Sequence, residues 1–97
     1  MEITTIKNGA ETTLKLKGCL DTSATPMFAE AIERTEGADT LVLDMSDLEF
    51  ISSSALRQLV TTKKKRGASF VIALSGMNEV VRDVFDVTGL DEIFEVR

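Results

Sequence analysis

The chain begins with a pattern of alternating side chains that is typical of a β-hairpin. Thr12, Leu14 and Leu16 alternate with Thr13, Lys15 and Lys17, as in a strand with one buried face. Residues 2–7 provide a partner strand across Asn8–Gly9, a pair that suits the positive φ angles of a turn. Because Ala10 and Glu11 also lie between the two segments, the length of the predicted loop is left open.

A helical pattern follows from residue 23 to residue 36, where apolar residues recur every three or four positions. Pro26 suits the first turn of a helix, which needs no backbone donor there. Thr25 is the preferred N-cap because a residue before proline avoids helical angles. Gly37 is predicted to end this helix in a left-handed conformation.

Two further helices are predicted downstream. One runs from Ala55 to the basic run 63–66, ahead of Gly67, and the other covers residues 80–85 and stops at Gly89. The basic run has two interpretations. It forms either a patch for an anion or an acidic partner, or, as we favour, a set of cations beside the unpaired carbonyls of a helix end.

Three apolar runs of strand length separate and follow these helices: residues 40–45, 69–74 and 93–96. The first is almost free of polar residues, which is typical of a central strand covered on both faces. Strands that alternate with helices after a hairpin predict an α/β fold, with a mixed sheet and helices packed on its apolar face. A length of 97 residues predicts one domain over residues 1–97.

The net charge bears on the partners of the protein, and its apolar segments and single cysteine bear on its location. The net charge of −5 disfavours nucleic acid and anionic lipid. No segment approaches the ~20 apolar residues of a membrane span, and residues 1–7 do not resemble a targeting signal. We therefore expect no direct membrane insertion and a cytoplasmic location. Cys19, the only cysteine, is expected to be a small buried side chain in a reducing compartment.

Candidate catalytic chemistry is sparse. The chain has no histidine, so a Ser-His-acid triad is excluded and zinc would lack its usual ligands. No glycine-rich nucleotide loop occurs. The polar cluster at 44–49 suggests either a site for a hard cation or, as we favour, an ordinary turn after a strand. We predict no metal, no cofactor and no enzymatic activity.

Three consecutive serines, Ser52, Ser53 and Ser54, precede the second helix. One of them suits the N-cap, and the others fit an exposed first turn. Alternatively, a hydroxyl group at a helix N-terminus is a favourable place for an added phosphate, because unpaired N–H groups and the helix dipole face it. The chemistry of the residues leaves both interpretations open.

Three stretches resemble a known family: residues 18–21 (Gly-Cys-Leu-Asp), 41–56 and 84–90. In this order they are similar to the STAS domain of bacterial anti-sigma-factor antagonists, over essentially the whole chain. The resemblance implies a single STAS-type domain with a four- or five-stranded mixed sheet. It also implies that the unphosphorylated protein binds a serine-kinase anti-sigma factor and releases the sigma factor, that the kinase inactivates it by phosphorylation, and that a PP2C-type phosphatase reverses this.

The resemblance also implies site residues. The family's phosphoacceptor falls on Ser54, with Ser53 as second choice, and the acidic position near the partner surface falls on Asp21, for which a turn or capping role is the alternative. The implied partner-binding residues are Asp21, Ser52, Ser53, Ser54, Ala55 and Arg57.

Three positions depart from the family pattern: Ser52 replaces an acidic residue, Ala55 replaces glycine and Cys19 replaces a charged residue. The loss of negative charge at Ser52 bears on kinase recognition. The family also includes subunits of membrane transport complexes, including lipid transporters. A non-switching subunit of that kind is therefore the alternative function.

Overall fold

The computed structural model describes residues 1–97 and has an α/β fold with a five-stranded sheet. The strands lie in the order β1-β2-β3-β4-β5; β1 is antiparallel to β2, and the remaining neighbours are parallel. The predicted α/β class and mixed sheet are confirmed. The elements are β1 (Glu2–Asn8), β2 (Glu11–Leu20), α1 (Thr25–Glu33), β3 (Thr40–Ile51), α2 (Ser53–Arg66), β4 (Val71–Ser75), α3 (Glu79–Thr88) and β5 (Glu95–Val96), with 3-10 turns at Thr22–Ala24 and Leu90–Glu92.

The hairpin loop is a tight one. Asn8 pairs with Glu11, so only Gly9 and Ala10 connect β1 to β2. Gly9 has a φ of 64°, a conformation that a two-residue hairpin favours and that glycine adopts without strain. The loop length that the sequence left open is therefore two residues.

The helices share one core on one face of the sheet. Alternate side chains of the strands pack there against the inner faces of the helices. The fully buried members include Leu14, Leu16, Phe28, Leu41, Leu43, Leu59, Leu74, Val81 and Phe85. The prediction that β3 is a central strand is confirmed. Val42, on the opposite side of β3, lies outside this core. Val42 is nevertheless little exposed, since Thr13 and Ala73 flank it on the neighbouring strands.

β3 is longer than the sequence pattern suggests and continues to Ile51. Two register shifts against β2 add extra residues to β3, one of them between Asp44 and Asp47. Such bulges let a strand continue through residues that break the alternation. The favoured turn at residues 44–49 is therefore wrong, because these residues belong to β3, and Met45 and Leu48 still reach the core from this segment.

The first helix differs from its prediction at both ends. Thr25 is its first residue rather than its N-cap, and Ala24 holds the cap position without a side-chain hydrogen bond. The helix ends at Glu33, and a turn connects it to Gly37, which has a φ of 95°. The later helices agree with their predictions, since α2 ends before Gly67 and α3 before Gly89. β4 and β5 each begin two residues later than expected.

None of the helices is long and apolar enough to cross a bilayer.

Candidate functional site

The serine run lies where two parallel strands end and two helices begin. β2 ends at Leu20 and β3 at Ile51, and the backbone N–H of Ser52 donates to the carbonyl of Leu20 at 2.8 Å. This bond fixes the two strand ends side by side. The starts of α1 and α2 consequently lie next to each other at the carboxyl edge of the sheet.

Ser52 is the N-cap of α2. Its backbone is extended, and its hydroxyl oxygen accepts a hydrogen bond from the N–H of Ala55 at 3.3 Å. Only 7% of the residue is exposed. One of the three serines is therefore a capping residue, as expected, because it satisfies a backbone donor that the helix itself leaves unpaired.

Ser54 takes part in contacts that reach across to α1. Its hydroxyl oxygen lies 2.8 Å from Oγ1 of Thr25 and 3.0 Å from Oγ of Ser52. Thr25 also donates its hydroxyl proton to the carbonyl of Asp21 at 3.2 Å. The half-buried Ser54 is thus held by neutral hydroxyl groups, with no lysine or carboxylate side chain bonded to it.

Asp21 is exposed and forms the N-cap of the 3-10 turn before α1. Its Oδ1 accepts from the hydroxyl of Ser23 at 2.7 Å and from the N–H of Ala24 at 3.0 Å. The bond from Ser23, followed by that from Ala24, lowers the pKa of the Asp21 carboxyl group. The capping role that the sequence left open is therefore present, and Asp21 reaches Ser54 only through its backbone carbonyl and Thr25.

The other candidate residues divide by exposure. Ser53 and Arg57 are exposed, and Arg57 forms no ion pair. Ala55 has no exposed surface and packs in the core. A partner that docks here can reach Asp21, Ser53, Ser54 and Arg57 directly, whereas Ser52 and Ala55 lie beneath the surface.

Two apolar side chains accompany these polar groups. Met27, two residues after Thr25, is 50% exposed, and Phe50, two residues before Ser52, is 44% exposed. Exposed Met and Phe side chains are enriched where protein surfaces make contacts. We call Met27, Phe50, Ser53, Ser54, Arg57 and Asp21 the serine surface.

Cys19 lies opposite Phe50 in the sheet register and is exposed, so the expectation of a buried cysteine is wrong. Its side chain points outward by the regular alternation of β2, in which Leu16 and Leu20 face the core and Lys17 and Cys19 do not. A hydrogen bond from its thiol to Glu49 raises the pKa of Cys19. The thiol is consequently a poor nucleophile, because reactivity belongs to the thiolate.

The polar segment 44–49 does not assemble a metal site. Oδ1 of Asp44 accepts from both the N–H and the hydroxyl group of Ser46, which lowers the pKa of Asp44. No three carboxylate or thiol side chains of residues 1–97 gather as metal ligands would.

Sequence reasoning missed the role of Thr25. Its position before proline indicated a cap, but its hydroxyl group bonds Ser54, which lies 29 positions away along the chain. No local pattern carries that contact. The packing of α1 against α2 creates it.

A sequence model of the STAS domain matches residues 2–97. The chain therefore belongs to the STAS domain family, as the resemblance implied. A comparison with curated proteins finds no match.

Solved structures with the same fold include an anti-sigma factor antagonist from Mycobacterium paratuberculosis. It is 26% identical, with a TM-score of 0.84 over 98% of this chain and 85% of that one. SpoIIAA in its unphosphorylated form is 21% identical, with a TM-score of 0.81 over 99% and 88% of the two chains. The phosphorylated form of SpoIIAA from Bacillus is 19% identical and has a TM-score of 0.75 over 99% and 91%.

A transport protein shares the fold as well. A sulfate transporter family protein from Wolinella succinogenes is 15% identical, with a TM-score of 0.74 over 94% of this chain and 79% of that one. At these identities the likeness to SpoIIAA and to the transport protein is a likeness of fold.

Proposed function

We propose that this protein is an anti-sigma-factor antagonist controlled by phosphorylation of Ser54. The unphosphorylated form binds an anti-sigma factor with serine-kinase activity through the serine surface, and the sigma factor is released. The kinase transfers a phosphoryl group from ATP to Ser54, which ends the binding, and a PP2C-type phosphatase removes it. The protein itself acts as a binding module and not as an enzyme.

The observation that carries the proposal is the position of Ser54 in the first turn of α2. Helix starts attract anions because unpaired N–H groups and the positive end of the helix dipole lie there. Neither α1 nor α2 has an acidic residue in its first turn. The starts of both helices are therefore free to stabilise a phosphoryl group, which keeps the fold intact when Ser54 is modified.

The negative charge of the phosphoryl group explains why phosphorylation should weaken partner binding rather than strengthen it. A phosphoserine adds about −1.5 to −2 charges at neutral pH, and the chain already carries −5. The exposed apolar side chains of Met27 and Phe50 lie two positions along the chain from Thr25 and Ser52, the two residues whose hydroxyl groups contact Ser54. A partner that packs on them would have to bury or face the new charge, so phosphorylation disfavours binding.

Ser53 remains the second candidate for the phosphoacceptor. It is more exposed than Ser54 and forms no side-chain hydrogen bond, whereas Ser54 is oriented by its two hydroxyl contacts. Mapping of the modified residue by mass spectrometry after incubation with kinase and ATP distinguishes them.

The test begins with capture of partners by tagged wild-type protein, Ser54→Glu and the matched control Ser53→Ala. We expect the wild type and Ser53→Ala to retain an ATP-binding serine kinase and Ser54→Glu to lose it. The purified kinase should then phosphorylate the wild type but not Ser54→Ala. Equal binding of the phosphorylated and unmodified protein to that kinase would contradict the switch.

The likeness to the sulfate transporter family protein favours a second candidate, a non-switching subunit of a membrane transport complex such as a lipid transporter. In that case Ser52 serves only as a cap, and Ser54 only joins α1 to α2. Retention of one transport complex by the wild type and by Ser54→Glu alike would support this alternative.

A further inference from the structure

A continuous series of hydroxyl groups links the start of α2 to the turn before α1. Oγ of Ser52 lies 3.0 Å from Oγ of Ser54, which lies 2.8 Å from Oγ1 of Thr25. Thr25 in turn lies 3.2 Å from the carbonyl oxygen of Asp21. At the other end, the N–H of Ala55 donates to Ser52.

The chemistry of the two ends sets the direction of every bond. A carbonyl oxygen only accepts and a hydroxyl group has one proton, so Thr25 donates to Asp21 and must accept from Ser54. Ser54 has then used its proton and accepts from Ser52. Ser52 donates to Ser54 and accepts from the backbone. Each hydroxyl group in the series therefore donates once and accepts once.

Phosphorylation removes the proton on which this order depends. Transfer from ATP forms a bond between Oγ of Ser54 and phosphorus, releases ADP and passes the hydroxyl proton to a base of the kinase. Ser54 then has only acceptor atoms. The single proton of Thr25 faces two acceptors, the neutral carbonyl of Asp21 and an anionic phosphoryl oxygen, and hydrogen bonds to the charged acceptor are about twice as strong.

We propose that Thr25 is a positioning residue that couples phosphorylation of Ser54 to the turn Asp21–Ala24. This inference rests on the proposed function. In the unmodified protein, Thr25 orients the hydroxyl group of Ser54 and holds the carbonyl of Asp21. In the phosphorylated protein, it turns to the phosphoryl group and releases that carbonyl, which keeps only the N–H of Ala24 at 3.1 Å as its partner.

The consequence concerns the serine surface. The released turn carries the exposed carboxylate of Asp21, whose position depends on its bonds to Ser23 and Ala24. Phosphorylation thus alters the surface twice, by the charge on α2 and by a looser turn before α1.

The test compares the wild type and Thr25→Val, each with serine or phosphoserine placed at position 54 during synthesis. Valine keeps the shape of threonine and removes its hydroxyl group. The measurement is amide hydrogen exchange at Ala24 by NMR, followed by titration of the Asp21 carboxyl group. Thr25→Ser is the rescue variant because it keeps the hydroxyl group, and Thr25→Ala replaces valine if Thr25→Val folds poorly.

In the wild type and in Thr25→Ser, phosphorylation should accelerate exchange at Ala24 about five-fold, the factor that corresponds to one ordinary hydrogen bond. Unmodified Thr25→Val should already exchange at the faster rate, and phosphorylation should add little. The direct effect of the phosphate charge is common to all variants and cancels in this comparison. Equal acceleration in the wild type and Thr25→Val would overturn the coupling.

The failure of this inference is separable from failure of the proposed function, because no kinase is needed to install the phosphoserine. If the turn responds but the purified kinase binds both forms equally, the coupling stands and the proposed switch is wrong. If kinase binding is lost while the turn is unchanged, the switch stands and Thr25 has no part in it.

Discussion

α1 and α2 contact each other both near the carboxyl ends of the strands and near the opposite ends. Different chemical groups make the two contacts. At the carboxyl edge, neutral hydroxyl groups of Thr25 and Ser54 make the contact. At the opposite edge, the guanidinium group of Arg66 donates to the carbonyls of Ile32 at 2.8 Å and Thr35 at 3.2 Å.

We call the end of α2 that carries Lys63 and Arg66 the cationic end. Both of these side chains donate hydrogen bonds to carbonyl groups of the protein itself. Arg66 also stacks over the ring of Phe70 at 4.7 Å, and Lys63 donates to the carbonyls of Ala68 and Phe70. An open cavity of about 790 Å³ lies between the ends of the two helices, with acidic and basic side chains on its walls. The bonds of Arg66 and Lys63 favour helix-end stabilisation over an anion patch as the role of the basic run.

At the other end, which we call the hydroxyl end, the neutral hydroxyl groups of Thr25 and Ser54 join α1 to α2. The N-caps of α1 and α2 are the neutral residues Ala24 and Ser52, and the first turns of both helices contain no carboxylate, although Asp21 caps the 3-10 turn before α1. The partial positive charge of both helix starts is therefore not neutralised by the side chains of these turns. The comparison teaches that charged donors bond backbone carbonyls at one end of the two helices, whereas neutral hydroxyl groups join them at the other end.

The largest expected effect tests the cationic end. Arg66→Ala should lower the free energy of unfolding by about 2 kcal/mol, because two carbonyls lose a charged donor and Phe70 loses its cover. Urea denaturation measures this. The exposed Lys64 forms no side-chain hydrogen bond, so Lys64→Ala is a matched control that should stay within about 0.5 kcal/mol of the wild type.

If the proposed function is correct, binding of the anti-sigma kinase should survive Arg66→Ala when measured below the unfolding transition. Loss of binding without loss of stability would instead assign function to the cationic end and break the comparison.

An intermediate effect is expected at the hydroxyl end. Ser52→Ala removes the N-cap of α2 and should lower the free energy of unfolding by about 1 kcal/mol. Ser53→Ala, at the exposed neighbouring position, should change it by less than about 0.5 kcal/mol. Urea denaturation of both variants gives the difference, and equal effects of the two substitutions would show that Ser52 does not act as a cap.

The smallest effect concerns the titration of Asp21. Ser23→Ala removes the main bond that lowers the pKa of Asp21, so this pKa should rise toward its ordinary value. Asp44, held in the same way by Ser46, should not change. NMR titration of the carboxyl carbons follows both groups, and an unchanged Asp21 would refute the role of Ser23.

The lowered pKa of Asp21 also determines how the stability of the fold depends on pH. A lowered folded-state pKa means that the Asp21 carboxylate stabilises the fold above its unfolded pKa, and this contribution is lost as the pH falls through the folded-state value. Ser23→Ala should therefore weaken the dependence of stability on pH on the acid side.

Much of the site is encoded locally. A serine cap for α2, a hairpin turn at Asn8–Gly9 and the ends of α2 and α3 agree with their sequence signals, although those signals leave the length of the hairpin loop open. Each depends on backbone groups within a few residues, so short stretches of sequence suffice to predict it.

Other features follow only from contacts between distant segments. The extension of β3 to Ile51 depends on bulges in its pairing with β2. The hydroxyl group of Thr25 is directed to Ser54 and Asp21 because α1 packs beside α2.

The sequence by itself determined the family, the order of strands and helices, and the serine at the start of α2. Only the tertiary structure decided which hydroxyl groups surround that serine. The physical reason is that caps and turns satisfy neighbouring backbone groups, whereas the partner of a half-buried hydroxyl group depends on which helix the core brings next to it.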